Sequence, residues 1–94
     1  MKIIRVYTGP DGLSHFQDVE IPTKGSLAGR KISQPIKAVS VLLRETDGSF
    51  GFGFHTAGRR QLFIPLVGEI EQENSDGTTR RIGPGQIILE EDLT

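Results

Sequence analysis

Apolar and polar residues alternate along this chain in short runs, and almost every run ends at a glycine, proline or aspartate. Lys2–Thr8 (K-I-I-R-V-Y-T) is β-branched and aromatic, the composition of a strand. Gly9-Pro10-Asp11-Gly12 then forms a turn, in which Pro10 presets φ and Gly12 is free to take a positive one. Residues 14–21 resume the strand pattern, with His15, Gln17, Val19 and Ile21 on one face and Phe16, Asp18 and Glu20 on the other. Pro22 ends that run because it has no N–H for a ladder. Residues 23–35 are polar and contain glycine, so they read as a loop with at most a fragment of strand.

The second half is denser in strand signals. In residues 37–46, Val39, Val41 and Leu43 share a face opposite Ala38, Ser40 and Arg44, and Asp47-Gly48 is a hairpin turn. Residues 49–55 (S-F-G-F-G-F-H) place Phe50, Phe52 and Phe54 on one face. Glycines occupy the other face, where His55 would look into any cavity. Residues 61–67 are apolar on both faces, the pattern of a strand covered on two sides, although Pro65 argues for an edge or a bulge. Glu69 to Asn74, the turn at Asp76-Gly77, residues 78–82, the Gly83-Pro84-Gly85 turn and the apolar run Gln86 to Leu89 complete a meander. No helical apolar period of useful length occurs. About seven closely spaced short strands predict an all-β antiparallel barrel or sandwich.

Ninety-four residues make one domain, spanning 1–94, and a domain this small buries a modest share of its surface. The net charge is -1 with acids and bases intermixed, so no electrostatic footprint for nucleic acid or an anionic membrane exists. There is no cysteine, which excludes disulfides, thiolate zinc sites and cysteine nucleophiles. Arg5 interrupts the N-terminal apolar run before it could serve as a signal peptide, and no stretch is long enough to span a bilayer. A soluble cytoplasmic protein is the expectation.

Most polar clusters have a plain reading. Arg80-Arg81 faces the acidic strand Glu69 to Glu73, which predicts ordinary cross-strand ion pairs. Glu90-Glu91-Asp92 could be paired carboxylates, but consecutive strand residues point to opposite faces, so a solvated end is expected. His15 is expected to be a half-buried strand residue. The run F-G-F-G-F lacks the lysine and following helix of a phosphate loop. Arg59-Arg60 could clamp a carboxylate with two parallel hydrogen bonds, and Arg60 is the better placed of the two for a pocket.

The segment H-T-A-G-R-R-Q, a glycine seven residues on, D-G, G-P-G and L-E-E-D resembles a small single-domain cupin. More narrowly it is similar to compact bacterial cupins whose first motif reads H-x-A-P-x-R-Q; the upstream Y-T-G-P-D-G-L-S-H-F-Q-D looks like the opening of those proteins. The resemblance implies a cupin double-stranded β-helix (jelly-roll) barrel that is often a homodimer. It places Gln61 and Gly68 where the first motif has its glutamate and final glycine. The metal site of the superfamily uses His-x-His, a glutamate and a third histidine, and the matching positions here are His55, Ala57, Gln61 and Ile88. One imidazole and one neutral amide are a poor set for a dication that takes three or four donors. The narrower family also continues beyond the E-D with further strand, so a barrel ending at Thr94 would lack its last strand.

These readings predict a pocket in which His55, Gln61 and Arg60 hold a small molecule, a carboxylate-bearing one among the candidates, with no cofactor. A metal-dependent isomerase, epimerase or dioxygenase using a divalent ion is the first alternative, and a structural or accessory dimeric module the second. The doubly apolar run 61–67 predicts self-association as a homodimer.

Overall fold

The computed structural model describes residues 1–25, 27–45 and 59–92. Among these the regular structure is strand, apart from one turn of 3-10 helix at Leu27–Gly29. The strands are β1 (Lys2–Thr8), β2 (Ser14–Glu20), β3 (Thr23–Gly25), β4 (Lys31–Ser33), β5 (Gln61–Phe63), β6 (Ile70–Glu73), β7 (Thr79–Ile82) and β8 (Ile88–Glu91). The all-β expectation therefore holds.

One four-stranded sheet has the order β2-β1-β8-β5. β1 and β2 form an antiparallel hairpin with Val6 opposite Phe16, and β5 pairs antiparallel with β8. Between them β1 and β8 run parallel, with Ile4 beside Ile88 and Val6 beside Glu90. Parallel neighbours need a long crossover, here the whole chain from Gly9 to Ile87. Two hairpins, β3–β4 and β6–β7, complete the described residues, and none of the three sheets closes into a barrel.

The β1–β2 and β6–β7 hairpins turn in the same way. In the first, Gly9 N–H donates to Leu13 O and Gly12 N–H to Gly9 O; in the second, Asn74 N–H donates to Thr78 O and Gly77 N–H to Asn74 O. Gly12 and Gly77 have φ of 79° and 89°, values reserved for glycine, which lets the strands leave the loop with the correct twist. Each loop has aspartate before that glycine, and its carboxylate accepts the N–H two residues on, Asp11 from Leu13 and Asp76 from Thr78. A third turn, Gly83 to Gln86, has Pro84 at its second position and Gly85 at φ 83°, the geometry of type II.

Alternation along β1 and β8 gives the sheet an inner and an outer face. Ile4, Val6 and Ile88 lie on the inner face and pack with Ile82 of β7, joined at the margin by Phe16, Phe63 and Ile70. The β6–β7 hairpin thus covers the inner face with the Ile70–Ile82 cross-strand pair. A seam of polar contacts fastens it to β2. Arg80 donates to Asp18 at 2.8 Å and lies over the Phe16 ring, while Ser14 and Ser75 exchange backbone-to-hydroxyl hydrogen bonds of 2.7 and 2.9 Å.

Four local expectations change. Residues 34–45 contain no strand, and Val39 and Leu43 are 100% and 89% exposed. Alternation gives a segment the capacity to pair, but only a partner strand makes it a strand. In the run 61–67 the strand stops at Phe63, because buried Pro65 has no N–H to continue the ladder; its carbonyl instead accepts the Gly85 N–H at 3.0 Å. Leu66 and Val67 are exposed, so the run is not covered on two sides. Residues 23–25 pair with 31–33 as the small β3–β4 hairpin, more strand than the expected fragment. Of the two expected arginine pairs, Arg81 faces Glu71 at 3.6 Å as anticipated, whereas Arg80 reaches across to β2. The phenylalanine–glycine run of residues 49–55 lies outside the described residues.

Candidate functional site

The C-terminal ends of β1 and β8 lie side by side with β5, and here the inner face changes from apolar to polar. Behind the Val6–Ile88 core come Glu90 on β8 and Gln61 on β5, directly opposite each other in the antiparallel register. Gln61 Nε2 donates to Glu90 Oε2 at 2.5 Å. Glu90 is only 9% exposed, although it is acidic, because the alternation that buries Ile88 carries it to the same face. Asp92, one residue past the strand and 4% exposed, continues that alternation. The expected solvated acidic end is therefore corrected: its first and third carboxylates are buried, and only the middle one faces outward. A strand running two residues further than the apolar run Gln86 to Leu89 was the signal that could have identified Glu90.

The outer face at the same end is a charged network. Glu91 accepts hydrogen bonds from Arg5 Nε and Arg60 Nε, each at 2.7 Å and each to a different oxygen. Arg5 also donates to Gln17 and stacks over the Tyr7 ring, 4.5 Å from its centroid. Arg5's hydrogen bond, seconded by Arg60's, holds the Glu91 carboxyl below the usual range, against an opposing push from burial. The anionic partner of Arg60 is thus Glu91.

The three residues expected to line one pocket are distributed as follows. Gln61 projects from the inner face and Arg60 pairs on the outer face, because adjacent positions point to opposite sides at the start of β5. His55 lies outside the described residues. The metal reading can be tested on the donor set. Ile88, at the position of the superfamily's third histidine, is fully buried between Ile4, Val6 and Ile82, an apolar plug where a ligand atom is required. Ala57 has no donor atom, and Gln61, whose nitrogen donates to Glu90, offers only a neutral amide oxygen in place of a carboxylate. These residues do not fit the superfamily's metal site.

Among the described residues no helix is long and apolar enough to cross a membrane. No known protein family, curated protein or solved structure matches the chain.

Proposed function

We propose that this chain is a small cupin-like protein that binds a small organic molecule at the polar end of its inner face. The observation carrying this reading is the Gln61–Glu90 pair. A buried carboxylate and an amide sit at the rim of an apolar core, the mix of apolar wall and few polar groups that small-molecule sites use. Gln61 holds the position that the cupin resemblance gives to the pocket. Glu90 accepts hydrogen bonds, so the ligand it suits carries a hydroxyl, amide or amine donor. A carboxylate-bearing ligand would need the cation Arg60, which is engaged with Glu91 on the opposite face.

Fragment screening by amide and side-chain NMR tests this directly. Hydroxyl- and amine-bearing fragments should perturb the Gln61 side-chain amide and the backbone amides of β5 and β8; Glu90→Gln should abolish both responses, and Gln61→Ala the backbone one, while the fold stays intact. Fragments that shift only Arg60 and its neighbours would sink the inner-face site. Stoichiometric zinc, iron, manganese or nickel in protein purified without added metal, lost in His55→Ala, would move the protein to the metal-dependent enzyme class.

The second part of the proposal is a homodimer. Val39, Val41 and Leu43 in residues 34–45, with Leu62, Ile64 and Leu66 near β5, are apolar side chains left exposed in a single copy.

A further inference from the structure

The twin hairpin loops converge on one side chain. His15, at the start of β2, places Nε2 at 2.9 Å from both carboxylate oxygens of Asp11 in its own hairpin. Its Nδ1 lies 3.0 Å from Asp76 Oδ2, in the tip of the other hairpin. A neutral imidazole has one N–H and one lone pair, so it can satisfy one carboxylate but must present its lone pair to the second. Only the imidazolium donates to both. The geometry itself therefore selects the protonated ring.

We propose that His15 is a proton-operated latch, clamped between Asp11 and Asp76, that fastens the tip of the β6–β7 hairpin to the β1–β2 hairpin. The inference does not depend on what the inner face binds. The surroundings are built for the clamp. A Cβ at Gly9 would come within 2.9 Å of His15 Cδ2 and Nε2, so any side chain there would displace the imidazole from this position. The Tyr7 ring flanks the imidazole at 5.7 Å between centroids. Asp76 is held in place by the Thr78 hydroxyl and backbone N–H, and its side chain is only 13% exposed. Beside it, Ser75 and Ser14 exchange hydrogen bonds that exist only while the tip is docked. The charged groups around the imidazole are Asp11 and Asp76 in direct contact and, on the far side of Tyr7, Arg5 over the Tyr7 ring and Glu91 beside Tyr7 in register.

The direction of the proton's effect follows from the contacts. Asp11's hydrogen bond, helped by Asp76 and opposed by burial, raises the His15 pKa above 6.5. Asp11 is lowered chiefly by His15, and Asp76 chiefly by Thr78 with His15 contributing. The stabilisation from His15 is full below pH 6.5 and is lost as the pH rises through its raised pKa. That from the two aspartates is lost as the pH falls through their lowered values, below 3.8. The latch is closed between these limits and loosens as the pH rises through the raised His15 pKa. The tip it holds lies at the end of the sheet that carries Gln61 and Glu90, so the latch sets how firmly that end is covered.

Two measurements on the intact chain test the latch. The first is the His15 ring titration by NMR, assigned against His55 with His15→Gln. Asp76→Asn keeps an oxygen for the Thr78 N–H, so the turn survives, and puts a neutral NH2 donor where the acceptor oxygen faced His15 Nδ1. The expected result is a His15 pKa lowered in Asp76→Asn and lowered further in Asp11→Asn; an unchanged value in Asp76→Asn overturns the latch. The second is hydrogen exchange at the Ser14 and Ser75 amides, corrected for the intrinsic rate and referred to the Ile4 amide within the main sheet. Their protection should fall from pH 5.5 to pH 8, about tenfold for each unit by which docking raises the His15 pKa. Protection that is flat with pH, or that falls equally in His15→Gln, overturns the proposal.

Discussion

Glu91 shows how one carboxylate can organise the edge of a sheet. Two guanidinium groups from residues 55 positions apart in sequence, Arg5 and Arg60, each take one of its oxygens, so removing the charge leaves two arginines facing each other. Glu91→Gln is expected to destabilise the fold by about 1 kcal/mol at pH 7, the scale of a half-exposed ion pair. Because the Glu91 carboxyl is held below 4.5, the wild type should keep this advantage down to that pH and lose it as the pH falls through the lowered pKa, where the denaturant midpoints of the two proteins should converge. Gly9→Ala is a second residue-scale prediction: the new methyl group must push His15 aside, which should bring the ring titration back toward ordinary imidazole behaviour. Not all of this was legible in the sequence. The turn-forming Asp-Gly pairs at 11–12 and 76–77 could be read from local rules, but their shared grip on His15 depends on packing two hairpins 65 residues apart, and no periodicity records that.

At the scale of the element, the turns were the most legible feature, since each depends on a local requirement. Gly85 must hold φ at 83°, and Gly85→Ala should cost about 1–2 kcal/mol in thermal or chemical unfolding. Strands β1 and β2 were equally plain, because alternation and bounding turns agree there. Ile88→Ala should cost about 2–5 kcal/mol, the range for emptying a fully buried position, and calorimetry of the variant checks it. Residues 37–45 illustrate the opposite case. Their alternation is as regular as that of β2, yet in the structure Val39 and Leu43 meet solvent, since a sequence pattern cannot state whether an edge is available to pair with. The acidic end of β8 was misjudged for a related reason: alternation separates Glu90 from Glu91, but it does not say that Glu90 and Asp92 share the buried face of Ile88.

For the whole molecule, exposed apolar side chains in residues 36–43 and 62–67 lead to an expected dimer, and light scattering showing a monomer at micromolar concentration would refute it. The all-β class was legible from turn spacing and the absence of any helical period, while the sheet order was not, because its central pairing joins residues more than eighty positions apart. That pairing has a bearing on how the protein comes into being. β8 sits between β1 and β5, yet it is the last of the described strands to leave the ribosome. Until it emerges, the β1–β2 hairpin and β5 have no common neighbour, and the apolar side of Ile4 and Val6 has no Ile88 to close against. At about 5–20 residues per second of synthesis, the nascent chain spends several seconds as separate, sticky hairpins. A chain cut after Gly85 should therefore show no cooperative unfolding transition and should engage chaperones persistently, whereas the full chain escapes them once its final strand slots into the gap held open for it.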